Sequence, residues 1–220
     1  MRVLVWIAVG ILAYLIGTIP FGYLAGRLVA GVDVRQKGSG STGATNVLRT
    51  AGLGPSLLVF IADLGKGAAA AGLGIWLLGP TWGPVLTGNM AVIGHSWPIY
   101  LGFKGGRGVL TGLGALFVLS PWLGLAALLV AVVVTAPTRY VSAGSLAGVL
   151  TGVGGLTIMG ALGSKPLAFL LYGWVAGPLI IIRHRGNIIR LIRGTESKLG
   201  QRAKKQDPQS QKKARNAWQR

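Results

Sequence analysis

Long apolar segments separated by short polar loops limit what this 220-residue chain can fold into more than any other feature. The segments cover residues 3–26, 53–78, 82–101, 108–119, 121–137, 141–160 and 167–182. Several reach the length of about 20 apolar residues that an α-helix needs to cross a bilayer. The first is too long for a signal peptide and lacks a clear cleavage site, so we expect it to be retained. The sequence therefore predicts an all-α integral membrane protein.

The number of crossings depends on residues 108–137, which form either one long helix or two short helices that separate at Ser120 and Pro121. Cytoplasmic loops are enriched in Lys and Arg, so the basic residues distinguish the two arrangements. With the break, seven crossings place 19 of the 22 basic residues on one side, together with the carboxyl tail. Without it, the loops at 27–49 and 102–107 move outside. We predict seven transmembrane helices, two of them short, with the amino terminus outside and the basic tail cytoplasmic.

The charge pattern also predicts the domain organisation. Residues 1–200 are expected to form one polytopic membrane domain, followed by a basic, disordered tail at 201–220. Such a tail suits a cytoplasmic surface with anionic lipids. Apart from Trp218 it lacks interleaved aromatic residues, which argues against nucleic-acid binding. The absence of cysteine excludes a cysteine nucleophile, and the few histidine and acidic residues argue against a metal. No cofactor is expected.

The loop at 37–49 joins small residues to hydrogen-bond donors and has no acidic side chain. Glycines such as Gly40 let backbone N–H groups approach a ligand, as in anion-binding nests. The side-chain donors are Ser39, Ser41, Thr42, Thr45, Asn46 and Arg49. An ordinary helix start capped by Thr45 or Asn46 is the simpler alternative, but a cap accounts for only one polar residue. We predict an anion site, with phosphate as the expected ligand.

A second glycine-rich loop, residues 102–108, contains four glycines, and Lys104 and Arg107 stand beside three of them, Gly105, Gly106 and Gly108. The two cations could simply be flanking charges that reach lipid phosphates. Such anchors do not require glycines beside them, however, and the next helix is expected to begin near Gly108. Its N–H groups and positive dipole end would then face a bound anion.

Two further pairs of polar residues are candidates. His184 and Asn187 share a face if the last helix continues past the membrane surface. They could orient a hydroxyl or a phosphate, and His184 could move a proton, although a histidine among arginines is more often an ordinary interfacial residue. Asp63 and Lys66 are predicted to form a structural ion pair within the second segment, and His95 is predicted to have a structural or supporting role.

Three regions together resemble one known family. The first is Ser-Gly-Ser-Thr-Gly-Ala-Thr-Asn-Val-Leu-Arg at 39–49. The second joins Gly-His-Ser-Trp-Pro at 94–98 to Phe-Lys-Gly-Gly-Arg-Gly-Val at 103–109, and the third contains His184, Asn187 and Gly-Thr-Glu-Ser-Lys at 194–198. With Asp-Leu-Gly-Lys-Gly at 63–67, they resemble the bacterial acyl-phosphate:glycerol-3-phosphate acyltransferase family, the PlsY type. Ser41 stands where asparagine is usual in that family, and Arg107 where lysine is usual.

The resemblance implies transfer of a fatty acyl group from acyl phosphate to the 1-position of sn-glycerol 3-phosphate. The products would be lysophosphatidate and phosphate, in the first acylation of phospholipid synthesis. It implies catalytic roles for Ser39, Arg49, Lys104, Arg107, His184 and Asn187, and substrate binding by Gly40, Ser41, Thr42, Thr45, Asn46, Gly105, Gly106, Gly108 and Glu196. Glu196 is expected to support its loop by pairing with a basic neighbour. The hydroxyl proton would pass either to the acyl phosphate or to His184.

The implied location is the bacterial plasma membrane, with the active site facing the cytoplasm. Membrane lipids and an upstream acyl-phosphate synthase are candidate partners. Two other classes fit less well. A transporter of phosphate compounds would usually show two related halves, which this sequence lacks. A CDP-alcohol phosphotransferase needs clustered aspartates for metal, and Asp63 stands alone.

Overall fold

The computed structural model describes residues 1–201, and these residues form α-helices and two short 3-10 turns with no β-strand among them. The predicted tail lies, apart from Gln201, outside the described residues. The helices are α1 (Arg2–Thr18), α2 (Phe21–Ala30), α3 (Ala44–Ala51), α4 (Leu53–Leu78), α5 (Gly83–Ser96), α6 (Val109–Leu119), α7 (Pro121–Thr138), α8 (Val141–Ala161), α9 (Ala168–Arg183) and α10 (Arg185–Ile192).

The first apolar segment, predicted as one retained span over 3–26, is built from two helices with a break between them. Pro20 disfavours helical geometry at Ile19, so α1 ends at Thr18 and α2 starts at Phe21. The segment Arg2–Ala30 as a whole still has the length and hydropathy of a membrane span. The break leaves the main-chain oxygen of Ile19 outside the regular helical pattern, and Lys66 Nζ donates to it at 3.0 Å.

The break predicted at Ser120 and Pro121 is confirmed. Ser120 adopts an extended conformation and Pro121 occupies the first position of α7, where its fixed φ and missing N–H are tolerated. The segment predicted at 82–101 is shorter than expected, because α5 ends at Ser96. Pro98 lacks a backbone N–H and restricts Trp97, so the chain turns there before a 3-10 turn at Ile99–Leu101.

Glycines allow α4 and α6 to approach each other closely. A Cβ atom at Gly67 would overlap the main-chain oxygen of Thr111, and one at Gly114 would overlap that of Leu64. Membrane helices associate through such small-residue contacts because lipid offers no hydrophobic drive between them. The largest apolar core joins α5, α6, α8 and α9, with Val92, Leu116, Leu156, Tyr172 and Ile180 among its members.

Four segments of the described chain are long and apolar enough to cross a membrane: Arg2–Ala30, Leu53–Leu78, Pro121–Thr138 and Val141–Ala161. Shorter apolar helices, α6 and α9, pack among them. At about 1.5 Å per residue, α6 is much shorter than a hydrocarbon core of about 30 Å.

Candidate active site

A cavity of about 420 Å³ lies at one end of the helices. Most of its polar side chains come from three stretches, the first loop with the start of α3, the 102–108 loop, and the junction of α9 and α10. Asp63, His95, Thr135 and Ser145 line it as well. Apolar side chains of α4, α6 and α7 line the rest, including Phe60, Leu110, Leu113, Leu128 and Val132. The cavity is thus polar and cationic at one end and apolar at the other.

Asn46 holds the first loop in shape. Its Nδ2 donates to the main-chain oxygens of Val34 and Ser41, both at 2.8 Å, and of Lys37 at 3.2 Å. Its Oδ1 accepts from the N–H of Ser39 at 2.9 Å. The amide is fully used in ordering the loop, so the structure gives Asn46 a supporting position beside the cavity. Direct contact with a ligand stays a prediction.

The alternative of a simple helix cap is wrong for this loop. Gly43 is the residue before α3 and makes no side-chain cap bond, and neither Thr45 nor Asn46 caps α4, which follows Gly52. The side chains that line the cavity are those of Ser39, Ser41, Thr45 and Asn46. Thr42 is buried, packs its main chain closely against Gly22 and does not line the cavity. Gly40 has a φ of 70° and permits the turn that precedes these side chains.

Arg49 lines the same cavity from α3. Its Nη2 donates to the main-chain oxygen of Ser197 at 2.9 Å, while its Nε is buried and has no hydrogen-bond partner among residues 1–201. Burial lowers the pKa of Arg49, and the nearby Glu196 carboxylate opposes that shift. An arginine remains protonated at neutral pH under such conditions, so an N–H group of a fixed cation is available to an anion.

The second loop is clamped from two sides. The N–H of Gly106 donates to the main-chain oxygen of His95 at 3.1 Å. Arg183 donates through Nε to the oxygen of Gly106 at 3.0 Å and through Nη2 to that of Gly105 at 3.1 Å. A Cβ at either glycine would overlap His95, so these two glycines allow close packing against it. Neither lines the cavity, and substrate contact by their backbone stays a prediction. Gly108, with a φ of 82°, does line the cavity and precedes α6.

The two predicted cations of this loop occupy different places. Arg107 lines the cavity, and its guanidinium makes no hydrogen bond or ion pair with the part of the chain described. Burial lowers the pKa of Arg107 to about 10, so it stays charged at neutral pH. Lys104 is exposed and does not line the cavity. The geometry favours Arg107 over Lys104 as the phosphate contact.

His184 stands between α9 and α10 and is almost completely buried. Its Nδ1 lies 2.8 Å from the main-chain oxygen of Ile180, an acceptor, so Nδ1 must carry the proton. Nε2 is then free to accept a hydrogen bond. Burial lowers the pKa of His184 to about 4, and the neighbouring Arg107 adds to the shift. A neutral imidazole with an accepting nitrogen therefore lines the cavity.

Asn187 and Glu196 form a network beside the cavity. Oε1 of Glu196 accepts from Asn187 Nδ2 at 2.7 Å and from Ser142 Oγ at 3.1 Å, and Oε2 accepts from Arg190 Nε at 2.7 Å. The predicted pairing of Glu196 with a basic neighbour is confirmed. Neither Asn187 nor Glu196 lines the cavity, and substrate contacts by either stay predictions.

Several residues that organise the site were not assigned these roles from the sequence. Arg183, Ser142 and Arg139 belong to none of the motifs described above. Arg139 exchanges hydrogen bonds with Leu199, whose side chain lines the cavity. These partners lie 54 to 78 positions apart along the chain, so no local spacing could have revealed them.

Charge and shape together limit what the site can bind. Arg49 and Arg107 face the polar end, no group of three or more potential metal ligands occurs in residues 1–201, and the opposite end is apolar. Such a cavity suits an amphiphile with an anionic head. The fold and the cavity together define a helical membrane protein with a cationic site at one end of its helices.

Comparisons with known proteins specify the class further. The profile of the family described as "Glycerol-3-phosphate acyltransferase" matches residues 7–194. A glycerol-3-phosphate acyltransferase from Synechococcus sp. (strain CC9902) is 45% identical over 88% of this chain and 94% of that protein. One from Synechococcus sp. (strain JA-3-3Ab) is 48% identical over 86% and 91%. The chain belongs to the glycerol-3-phosphate acyltransferase family.

Solved structures agree with this assignment. The crystal structure of PlsY (YgiH), an integral membrane glycerol 3-phosphate acyltransferase in its glycerol 3-phosphate form, matches with a TM-score of 0.82 and 39% identity. The match covers 89% of this chain and 96% of that one. The lysophosphatidic acid form of PlsY matches with a TM-score of 0.80 and 38% identity.

Proposed function

We propose that this protein transfers a fatty acyl group from acyl phosphate to the 1-position of sn-glycerol 3-phosphate. The observation that carries the proposal is the single cavity in which Arg49 and Arg107 face one end and apolar side chains line the other. Both substrates carry a phosphate, and one carries a long chain. Membership of the family supports the acceptor, and the motifs at 39–49 and 94–109 support the donor.

The main contribution of the protein to catalysis is to neutralise the negative charge of the two phosphate groups. The acceptor hydroxyl attacks the acyl carbon, a carbon–oxygen bond forms, and the bond from that carbon to the phosphate oxygen breaks with phosphate leaving. Arg107 and the N–H groups at the start of α6 stabilise the negative charge of the leaving phosphate. Arg49 and the hydroxyls of Ser39 and Ser41 hold the second phosphate. No enzyme nucleophile is required, because the acyl phosphate is already activated.

His184 is placed to orient the attacking hydroxyl. Its Nδ1–H donates to the main-chain oxygen of Ile180, so Nε2 can accept a hydrogen bond from the attacking hydroxyl. With a pKa of about 4, the imidazole is a weak base. We therefore assign the final proton to the departing phosphate, with His184 directing the hydroxyl.

The proposal includes seven crossings of the membrane. Helices α1 and α2 together form the first, and α4, α5, α6, α7, α8 and α9 form one each. The amino terminus lies outside and the cavity faces the cytoplasm. One observation supports this orientation: the loops rich in Lys and Arg meet at the cavity end, as expected for a cytoplasmic face. Exposed tryptophans, Trp76, Trp82 and Trp122, occur at the other ends of α4, α5 and α7, which fits an interface there but does not distinguish the two sides.

Purified protein in detergent, given palmitoyl phosphate and labelled glycerol 3-phosphate, tests the reaction. Phosphate release that requires both substrates, with a 1-acyl product by NMR, is the expected result. Arg107→Ala should lose on the order of 100-fold or more in kcat/KM, whereas the matched variant Lys104→Ala should stay close to wild type. Equal losses in both variants would contradict the assignment of Arg107. Phosphate release without glycerol 3-phosphate would contradict acyl transfer.

The absence of native cysteine allows a clean test of orientation. Single-cysteine variants Ser41→Cys, Lys104→Cys and Lys165→Cys can be treated with a membrane-impermeant thiol reagent in intact cells and in inverted vesicles. We expect positions 41 and 104 to react only in inverted vesicles, and position 165 only in intact cells. Labelling of 41 and 104 from opposite sides would exclude a shared site.

A further inference from the structure

A buried group of three ionisable side chains lies beneath the second loop and has no part in the proposed chemistry. Lys66 Nζ is 2.8 Å from Asp63 Oδ1, and the same oxygen is 3.5 Å from His95 Nδ1. All three side chains are almost fully buried. Ionisable groups within membrane helices are costly and usually mark function, which indicates a role beyond joining α4 to α5.

His95 is the member of the group that contacts the loop. Its main-chain oxygen accepts from the N–H of Gly106 at 3.1 Å. Its ring lies so close to Gly106 that no side chain would fit there, and its main chain excludes a side chain at Gly105. The residue that follows Gly106 is Arg107, whose guanidinium lines the cavity. A shift of the His95 ring would therefore be felt at Arg107 within one peptide unit.

The other two members fix the ring in place. Asp63 faces Nδ1 of His95, and Lys66 fixes Asp63 while also donating to the main-chain oxygen of Ile19 at 3.0 Å. That oxygen lies at the break between α1 and α2. The group thus joins three elements, the α1–α2 break, α4 and the end of α5. Arg183 holds the opposite side of the loop through the oxygens of the two glycines.

We propose that Lys66, Asp63 and His95 form a positioning unit that fixes the backbone at 105–106 and thereby directs Arg107 into the cavity. His95 and Asp63 also line the cavity, and the role proposed for His95 is to position Arg107 through the backbone of the loop. This proposal rests on the proposed function in one respect only: that the ligand bound by Arg107 is a phosphate group of a substrate. A purely structural ion pair would stabilise the helices without any special effect on Arg107.

Hydrogen exchange measures the positioning without requiring turnover. In His95→Ala and in Asp63→Asn, we expect faster exchange in peptides covering 101–108 and unchanged exchange in peptides from α8. The matched control is Asn89→Ala, which removes another buried polar side chain of α5 outside the cavity and should leave 101–108 unchanged. If His95→Ala does not fold, His95→Gln replaces it. Unchanged exchange at 101–108 in a folded His95 variant would overturn the proposal.

A double-mutant cycle tests the route through Arg107. His95→Ala should lower kcat/KM on the order of 10- to 100-fold in the wild-type background, because displacement of a binding group by about 1 Å can have that effect. In an Arg107→Ala background, His95→Ala should lower kcat/KM by less than about 3-fold, because the effects of two residues that act through the same contact are not additive. Additive losses would overturn the link to Arg107.

Failure of the positioning proposal and failure of the proposed acyl transfer give different results. If Arg107→Ala turns over too slowly, the cycle is measured by equilibrium binding of palmitoyl phosphate, whose phosphate is the one assigned to Arg107. If the wild-type protein does not transfer acyl groups at all, the proposed function fails, while the exchange data still decide whether His95 holds the loop.

Discussion

Replacing Glu196 with alanine should destabilise the protein strongly, because its carboxylate satisfies three donors. Asn187 and Ser142 are buried, and each would lose its hydrogen bond to Glu196. A buried donor without a partner costs about 1–3 kcal/mol, so the two together cost about 2–6 kcal/mol by the same measure. Arg190 is partly exposed, and its pair adds no more than about 1 kcal/mol. The total is a large part of the roughly 5–15 kcal/mol that holds a domain folded.

Thermal unfolding in detergent measures this loss. A change of about 1 kcal/mol shifts the Tm of a chain of this size by about 2–4 °C, so a loss of about 2–7 kcal/mol should lower the Tm of Glu196→Ala by about 4–28 °C. Glu196→Gln keeps an acceptor for Asn187 and Ser142 and should lose less than half as much. The matched control is Ser197→Ala, since Arg49 contacts only the main-chain oxygen of Ser197. A Glu196→Ala protein that unfolds at the wild-type temperature would refute this account of the network.

The same network has a defined pH dependence. Burial opposes ionisation of Glu196, but hydrogen bonds from Asn187 and Arg190 outweigh it and hold the pKa below its usual value. The ionised network therefore stabilises the fold fully above the ordinary glutamate pKa of about 4.3. That contribution is lost as the pH falls through the lowered pKa. The difference in Tm between wild type and Glu196→Gln should accordingly narrow in acid.

Three further predictions follow from the site. Gly106→Ala should lose most activity, because the added methyl overlaps His95, and steady-state kinetics will measure the loss. Asn46→Ala leaves the first loop unsupported and should raise the KM for glycerol 3-phosphate by about 10-fold or more. For His184, with its pKa lowered to about 4, the neutral form dominates down to that value. A pH–kcat profile should therefore stay flat through pH 6.5 and fall only near pH 4.

Each of these three predictions has a result that would contradict it, and the first also has a control variant. Gly65→Ala has open space for its methyl group and should keep wild-type activity, so an equal loss in both alanine variants would count against the packing argument at 106. An unchanged KM in Asn46→Ala would show that the loop does not need its amide. An acid limb near pH 6.5 that disappears in His184→Asn would mean that His184 titrates normally.

Local patterns in the sequence were sufficient for most helices. The apolar run at 53–78 coincides with α4, and Pro121 marks the start of α7 as predicted. Proline also explains the two interruptions, since Pro20 and Pro98 lie inside segments that hydropathy alone marks as continuous. Hydropathy averages over many residues, whereas a missing N–H acts at one.

The candidate site was found only in part. The sequence identified Arg49, Arg107 and His184, all of which line the cavity. It did not separate Arg107 from Lys104, because both lie in the same loop and differ only in how the backbone directs them. It also assigned Gly105 and Gly106 to ligand approach, since a glycine that admits a ligand and one that admits a neighbouring histidine look alike in sequence.

Composition and short-range pattern thus determined a helical membrane protein with two glycine-rich loops and the family to which its motifs point. Tertiary structure alone decided which side chains meet: that Asn46 supports a loop, that Glu196 joins three donors, and that Asp63 and His95 lie beneath Arg107. Helix formation and membrane insertion depend on residues within a few positions of one another. The site depends on hydrogen bonds and packing between residues distant in sequence, and these exist only after the helices have assembled.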